Sequence, residues 1–373
     1  MKNKKYLVLF LVVTLLFCGI MPVQAVEANR NKNDLYEVHT IARNAPSFFA
    51  PTSDWSNVTI RKTTPLYDLY NEIIAYCVDI QNADTGKNAY IVINADEKGT
   101  PVLQYAPDAT SPYYDIGNSR ALYLAPGAYH VIDGDMIVDL TTEETIAKSS
   151  LTIKDKTETR SSSDVSAETL VKNEYVRAAY LSGSSQRSND TRETILNGVP
   201  NWHWQYGCVP TAIGMQLAKL YPSLNDQNTI GRLASALGTD SNGVTIRRYI
   251  PDRLVAFITR CGFATPSYCD YPAVDSVGNP LTGIGYNSYT TYKSEIDAGR
   301  PVAIYSENAS VSIPGFSSLS GWESHMITGI GYSYVISGYD KYVVTYTTSA
   351  PAGRVYININ SQLGAFAWLI VRP

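Results

Sequence analysis

The distribution of apolar and polar positions divides the chain into four stretches. The first, "MKNKKYLVLFLVVTLLFCGIMPVQA", sets three lysines before a largely apolar run from Tyr6 to Met21, followed by small residues at Val23 and Ala25. That pattern reads as a secretory signal peptide over residues 1–25. The run is shorter than the ~18 residues of a membrane-crossing helix, and no later stretch is long enough, so an exported chain with no membrane span is expected. Cys18 is a conceivable lipid attachment point, but bulky Phe17 before it argues against that processing.

The second stretch covers residues 26–148. Residues 26–45 read as polar and poorly ordered. From about 55 to 147, the runs "AYCVDI", "AYIVINA", "PVLQYA", "ALYLA", "AYHVID" and "MIVDL" are separated by "DTGK", "DEKGT", "APGA" and "DGD". Short runs punctuated by turn residues predict an antiparallel sheet. "LYDLYNEIIAY" has apolar residues at helical spacing and predicts a packing helix. The third stretch, residues 149–198, is rich in Ser, Thr and charge and reads as a linker, with one helical segment in "LVKNEYVRAAYL". Exposed polar chain of this kind is where proteolytic nicking concentrates. In the fourth, residues 199–373, helical patterns ("CVPTAIGMQLAKLY", "IGRLASALG", "IPDRLVAFITRCG", "YTTYKSEIDAG") precede strand patterns ("PVAIYS", "SHMITGIGYS", "KYVVTYTT", "RVYINI", "GAFAWLIVRP"). Helices first and strands afterwards is an α+β order, without βαβ alternation.

Composition narrows the function classes. With 45% hydrophobic and 17% charged residues the chain is too apolar for disorder. Its net charge of -4, with no later cluster of Lys and Arg, disfavours a nucleic-acid partner. No His pair stands at helical spacing and no paired C-x-x-C occurs, so neither a metal nor a cofactor is indicated. Cys77 lies in an apolar run and reads as a buried, inert thiol. Cys261 and Cys269 flank "GFATPSY"; a disulfide and two free thiols both remain open.

The candidate chemistry lies in "NWHWQYGCVPTAIGMQLAKLYP". A nucleophilic Cys must reach its thiolate form, which a helix N-terminus favours through free N–H groups and the macrodipole. Cys208 takes that place, since Gly207 ends an aromatic loop and Pro210 suits the first helical turn. A buried core thiol is the competing reading. Among His39, His130, His203 and His325, only His325 opens a strand that can face Cys208 across a cleft, as the base of a Cys-His pair. Gln205, three residues before Cys208, offers a side-chain N–H beside the Cys208 amide, giving two donors for an oxyanion. Trp202, Trp204, Tyr206 and Trp322 read as packing and cleft wall.

"Gln205-Tyr206-Gly207-Cys208-Val209-Pro210-Thr211-Ala212", then "Gly299-Arg300-Pro301-Val302", then "His325-Met326-Ile327-Thr328-Gly329-Ile330-Gly331-Tyr332" resembles the papain-like bacterial cysteine peptidases of the double-glycine-leader-peptidase-like group. The resemblance covers about Val199 to Pro373. The first domain resembles the strand-rich propeptides of streptopain-like secreted peptidases, with "NAYIVINADEKGTPVLQYAP" the nearest stretch. These likenesses imply a papain-like α+β domain behind a smaller antiparallel α+β prodomain, with Cys208, His325 and Gln205 catalytic. They imply a peptide or protein substrate, and an N-terminal domain acting as intramolecular inhibitor or folding assistant until cleavage in the linker. Such enzymes usually orient the His with an Asn or Asp on the following strand, where this chain has Thr345, Tyr346, Thr347 and Thr348. Asp340 falls near the tip of the hairpin, too far from His325 for a hydrogen bond. Either a Thr hydroxyl or backbone carbonyl fixes the imidazole, or the domain is a degenerate, non-catalytic binding relative. A cell-wall peptide amidase or transpeptidase would use the same dyad.

Overall fold

The computed structural model describes residues 35–49, 55–153, 166–183, 192–270, 289–307, 311–312, 324–336, 338–348, 353–359 and 365–373. The signal segment with Cys18, most of the Ser-rich chain and Trp322 lie outside these. Helix α1 spans residues 35–44 and α2 is Pro46–Phe49. Strands β1 (Val58–Tyr67), β2 (Ile73–Asn82), β3 (Asn88–Asn94), β4 (Val102–Pro107), β5 (Arg120–Ala125), β6 (Ala128–Asp133), β7 (Met136–Asp139) and β8 (Thr145–Ala147) follow. Next come β9 (Thr152–Ile153), α3 (Ala167–Ser182), β10 (Arg192–Ile195), α4 (Cys208–Leu220), α5 (Asn228–Leu237), α6 (Ile250–Arg260), β11 (Tyr268–Asp270) and α7 (Tyr289–Asp297). The chain closes with β12 (Val302–Glu307), β13 (Val311–Ser312), β14 (Ser324–Val335), β15 (Asp340–Tyr346), β16 (Val355–Asn358) and β17 (Ala365–Arg372).

The fold is mixed α+β around one large, mostly antiparallel sheet in the order β11-β17-β12-β14-β15-β16-β4-β3-β2-β1-β5-β6-β7-β8. The N-terminal strands join the C-terminal ones at β4 and β16, where Tyr105 pairs with Tyr356 and Gln104 with Ile357. Both faces are covered, as the alternation along β3 shows. Tyr90 and Val92 enter one core with Ile304, Val343 and Trp368, while Ala89, Ile91 and Ile93 enter another with Met215, Tyr342 and Val344. Each core therefore crosses the junction between the two halves. A third core packs α4, α5 and α6 on β12, β14 and β17.

Two expectations are corrected. Residues 35–44, read as part of a poorly ordered tail, form α1; Val38, Ile41, Ala42 and, just beyond, Ala45 are buried at i, i+3, i+4 and i+7, an apolar stripe. "LYDLYNEIIAY" is not a helix: it closes β1, turns over residues 68–72 and opens β2. Asp68 Oδ1 accepts from the amides of Tyr70 and Glu72, both at 2.9 Å, and Asn71 takes a left-handed φ of 69°. An aspartate that captures the backbone two residues on diverts the chain into a turn despite helical spacing. The linker also contributes to the fold. The helix expected there is α3, capped by Ser166, whose Oγ accepts from Thr169 N at 3.2 Å, and ended by left-handed Gly183. Its Val176 and Tyr180 are buried, and β10 pairs with β14.

Among the described residues Cys77, Cys261 and Cys269 are free thiols. Cys77 is fully buried, and burial together with nearby Asp79 pushes its thiol far up, an inert state. Asp340 pairs with Val335 at the far end of the β14–β15 ladder from His325. Its carboxylate is buried: Oδ1 accepts from Thr100 Oγ1 at 3.3 Å and from Asn358, and Oδ2 from Tyr180 at 3.1 Å and Tyr342 at 2.5 Å. The N-terminal half, α3 and the C-terminal sheet thus meet on one carboxylate.

Candidate functional site

Helix α4 is buried for most of its length because the sheet lies on one side and α5 on the other. Its one deeply buried long polar residue, Gln216, donates to the carbonyls of Pro301 at 3.0 Å and Leu369 at 3.1 Å, and its Ala212 carbonyl accepts from Thr328 on β14 at 3.0 Å. The helix axis is therefore fixed against β12, β14 and β17. Cys208 is its first residue, with no acidic side chain in the first turn to oppose an anion. Before it, Gly207 has φ 134°, and a Cβ there would stand 2.5 Å from the Gly243 carbonyl oxygen. Only a glycine allows the loop carrying Gly243 to cross so close to the nucleophile end of the helix.

His325 is the second residue of β14, facing Ser306 of β12 in register. Its Nε2 lies 2.9 Å from the Thr347 carbonyl and 3.4 Å from Thr348 Oγ1. A carbonyl only accepts, so Nε2 carries the proton and Nδ1 is left for the other partner, the Cys208 thiol. Burial would lower the His325 pKa, but the hydrogen bond and charge of Cys208, the Thr347 carbonyl and Asp139 outweigh it and raise the ring above its usual value. The ring is thus biased toward imidazolium.

A carboxylate from the N-terminal half completes the surroundings. Asp139, at the end of β7, turns the chain by accepting from Thr141 N at 2.7 Å and Thr142 N at 3.2 Å, and its Oδ2 lies 3.5 Å from His130 Nε2. Burial pushes Asp139 up, yet His130, the Thr141 amide and His325 bring it below the ordinary aspartate value. The loop 139–144 encloses a cavity of about 20 Å³ with Trp204, Asn242, Gly243, Cys208 and His325. That is room for about one water. Cys208 is 4% exposed and His325 6%, so the pair is buried, with the loop 139–144 of the N-terminal half forming one wall.

The structure brings Cys208 and His325 together. Gln205 lies on the same loop, its backbone tied to the Thr211 hydroxyl by Gln205 N donating at 3.0 Å; it is half-buried and does not line the small cavity. Trp204 lines the cleft, Trp202 packs on the flank of α4 beside Gly214, and Tyr206 is exposed. His203 is exposed, and His39 bonds Thr63 at 2.8 Å. Sequence reasoning missed Asp139 and His130 as neighbours of the pair; of the two holders it left open for His325, a Thr hydroxyl and a backbone carbonyl, the Thr347 carbonyl lies at 2.9 Å. No family model, curated protein or solved structure matches the chain.

Proposed function

We propose that the chain is an exported cysteine peptidase of papain-like type, made as a precursor that its N-terminal half keeps closed. The observation that carries this reading is a thiol at a helix N-terminus bonded to a histidine whose far nitrogen is fixed by a backbone carbonyl. In the reaction, the Cys208 thiolate attacks a peptide carbonyl, and the Cys208 amide and the Gln205 side chain hold the oxyanion. The His325 imidazolium gives its proton to the leaving amine, and water then hydrolyses the acyl-enzyme through the same ring. The loop 139–144 supports the precursor reading, because no peptide fits a cavity of about 20 Å³.

Purified full chain is expected to yield a shorter active species that begins between about residues 155 and 198, where polar chain is open to nicking. Cys208→Ala and His325→Ala should each lower peptide hydrolysis by roughly a thousandfold or more. In the shortened species, alkylation of Cys208 should follow a pH profile that His325→Ala abolishes. Hydrolysis surviving in Cys208→Ala, or Cys208 labelling at the rate of the unfolded chain, would refute the peptidase. Intact mass showing only the long chain in active samples would refute the precursor.

A further inference from the structure

A histidine that serves as base to a thiol must keep one nitrogen bare and turned to sulfur, which requires the proton on the other nitrogen to be held in place. In this protein the holder is the carbonyl of Thr347, 2.9 Å from His325 Nε2. A peptide carbonyl points wherever its flanking backbone dihedrals send it, and the dihedral on its far side belongs to Thr348. That residue has φ 64°, in the left-handed region that a β-branched side chain normally avoids. Thr348 is also engaged through both its hydroxyl and its carbonyl. Its hydroxyl donates to the Thr347 carbonyl at 2.5 Å and lies 3.4 Å from Nε2, while its own carbonyl accepts from Trp204 N at 3.0 Å. Trp204 belongs to the loop that delivers Cys208, so Thr348 connects the strand of the base to the loop of the nucleophile. Thr347 and Thr348 are each 3% exposed. Backbone strain that persists in a buried, multiply bonded turn beside a reactive pair marks a site where surrounding contacts enforce one geometry.

We propose that Thr348 is a positioning residue: its left-handed backbone and its hydroxyl aim the Thr347 carbonyl at His325 Nε2, which fixes the Nε2–H tautomer and turns Nδ1 to the Cys208 sulfur. A neutral carbonyl takes the place of an orienting side chain, and it does so with an acceptor that no side-chain substitution at Thr347 can delete. The role in hydrolysis rests on the peptidase reading; the role in setting the ring does not.

The test uses ¹⁵N-histidine spectra of the full chain, in which four histidines give few signals and those lost in His325→Gln identify the ring. Spectra are recorded above the titration point of the ring, where it is neutral. Wild type and Thr348→Ser should show one tautomer, protonated at Nε2. Thr348→Gly accepts the left-handed φ and loses the hydroxyl, so its melting temperature should hold or rise while the ring signal moves toward mixed tautomers and the His325 titration point falls. Thr348→Val keeps the branched side chain without the hydroxyl and should show the same mixing if it folds. In peptide hydrolysis the folded variants should lose roughly tenfold to a hundredfold in kcat with KM unchanged. A folded Thr348→Gly or Thr348→Val chain with the wild-type tautomer and titration overturns the proposal. Absence of hydrolysis in the wild-type chain would refute the peptidase and leave the ring spectra to decide Thr348.

Discussion

Replacing Gly207 with Ala is expected to cost about 3 kcal/mol of stability and to detach Cys208 from His325. Two penalties combine. A side chain at φ 134° is strained, at about 1–2 kcal/mol for such backbone, and the added methyl would stand 2.5 Å from the Gly243 oxygen, with overpacking worth about 1–3 kcal/mol. The contact is to backbone, so no side-chain rotation relieves it, and the loop 240–243 or the start of α4 must move. Since Gly243 reciprocally lies against Gly207 Cα and Trp204, Gly243→Ala should produce the same defect. Together the two changes should cost less than their sum, because once the loop has shifted the second methyl meets no contact. Urea unfolding of the four chains in this cycle, with Cys208 alkylation read alongside, measures both effects. Full additivity would show that the two glycines do not share the contact.

The second large effect is on pH dependence. Burial pushes Asp340 up to about 6, against an ordinary value of 3.8, although Tyr342, Asn358, Tyr180 and Thr100 all donate to it. All four partners are neutral, so no cation offsets the desolvation. The folded chain therefore binds this proton more tightly than the unfolded chain. The stability it contributes is greatest below about pH 4, falls as pH rises toward 6, and is level above that. A difference of about two units corresponds to about 3 kcal/mol. Asp139 acts in the opposite direction: its lowered value gives stability present above about pH 4 and lost in acid. The raised His325 gives stability present below about pH 6.5 and lost as pH climbs through its folded value. Asp340→Asn removes only the first of these. Urea midpoints measured from pH 4 to 7 should show wild type losing about 3 kcal/mol relative to the variant. Parallel curves would mean that Asp340 is solvated.

The parts of the site that belong to side chains in unusual company were visible in the sequence. Cys208 stood between a glycine and a Pro-Thr step, and His325 began an apolar strand. Of the part contributed by backbone, a carbonyl was foreseeable as one of two holders of the ring, but not which carbonyl. Thr347 acts through a carbonyl that every residue has, and nothing in "TTSA" says which way it points. The loop 139–144 reads as an ordinary polar turn, because its position over the cleft depends on the β4–β16 pairing, a contact between strands far apart in the chain. Local spacing misled at one place and was overlooked at another. Leu66, Leu69 and Ile73 stand at helical intervals, yet the side chain of Asp68 bonds the backbone first. Val38, Ile41, Ala42 and Ala45 carried a true helical stripe inside polar chain.

The join between β4 and β16 has a further consequence. Only two residue pairs hold it in register, whereas β1 and β2 share nine, so under load this line should part before the long ladders do. Tearing would uncover an edge of Val355, Tyr356 and Ile357, apolar residues with no lysine or proline among them to discourage a new neighbour. The N-terminal half thus also acts as an edge cap. A chain that sheds it acquires a sticky border, and its solubility should become dependent on concentration.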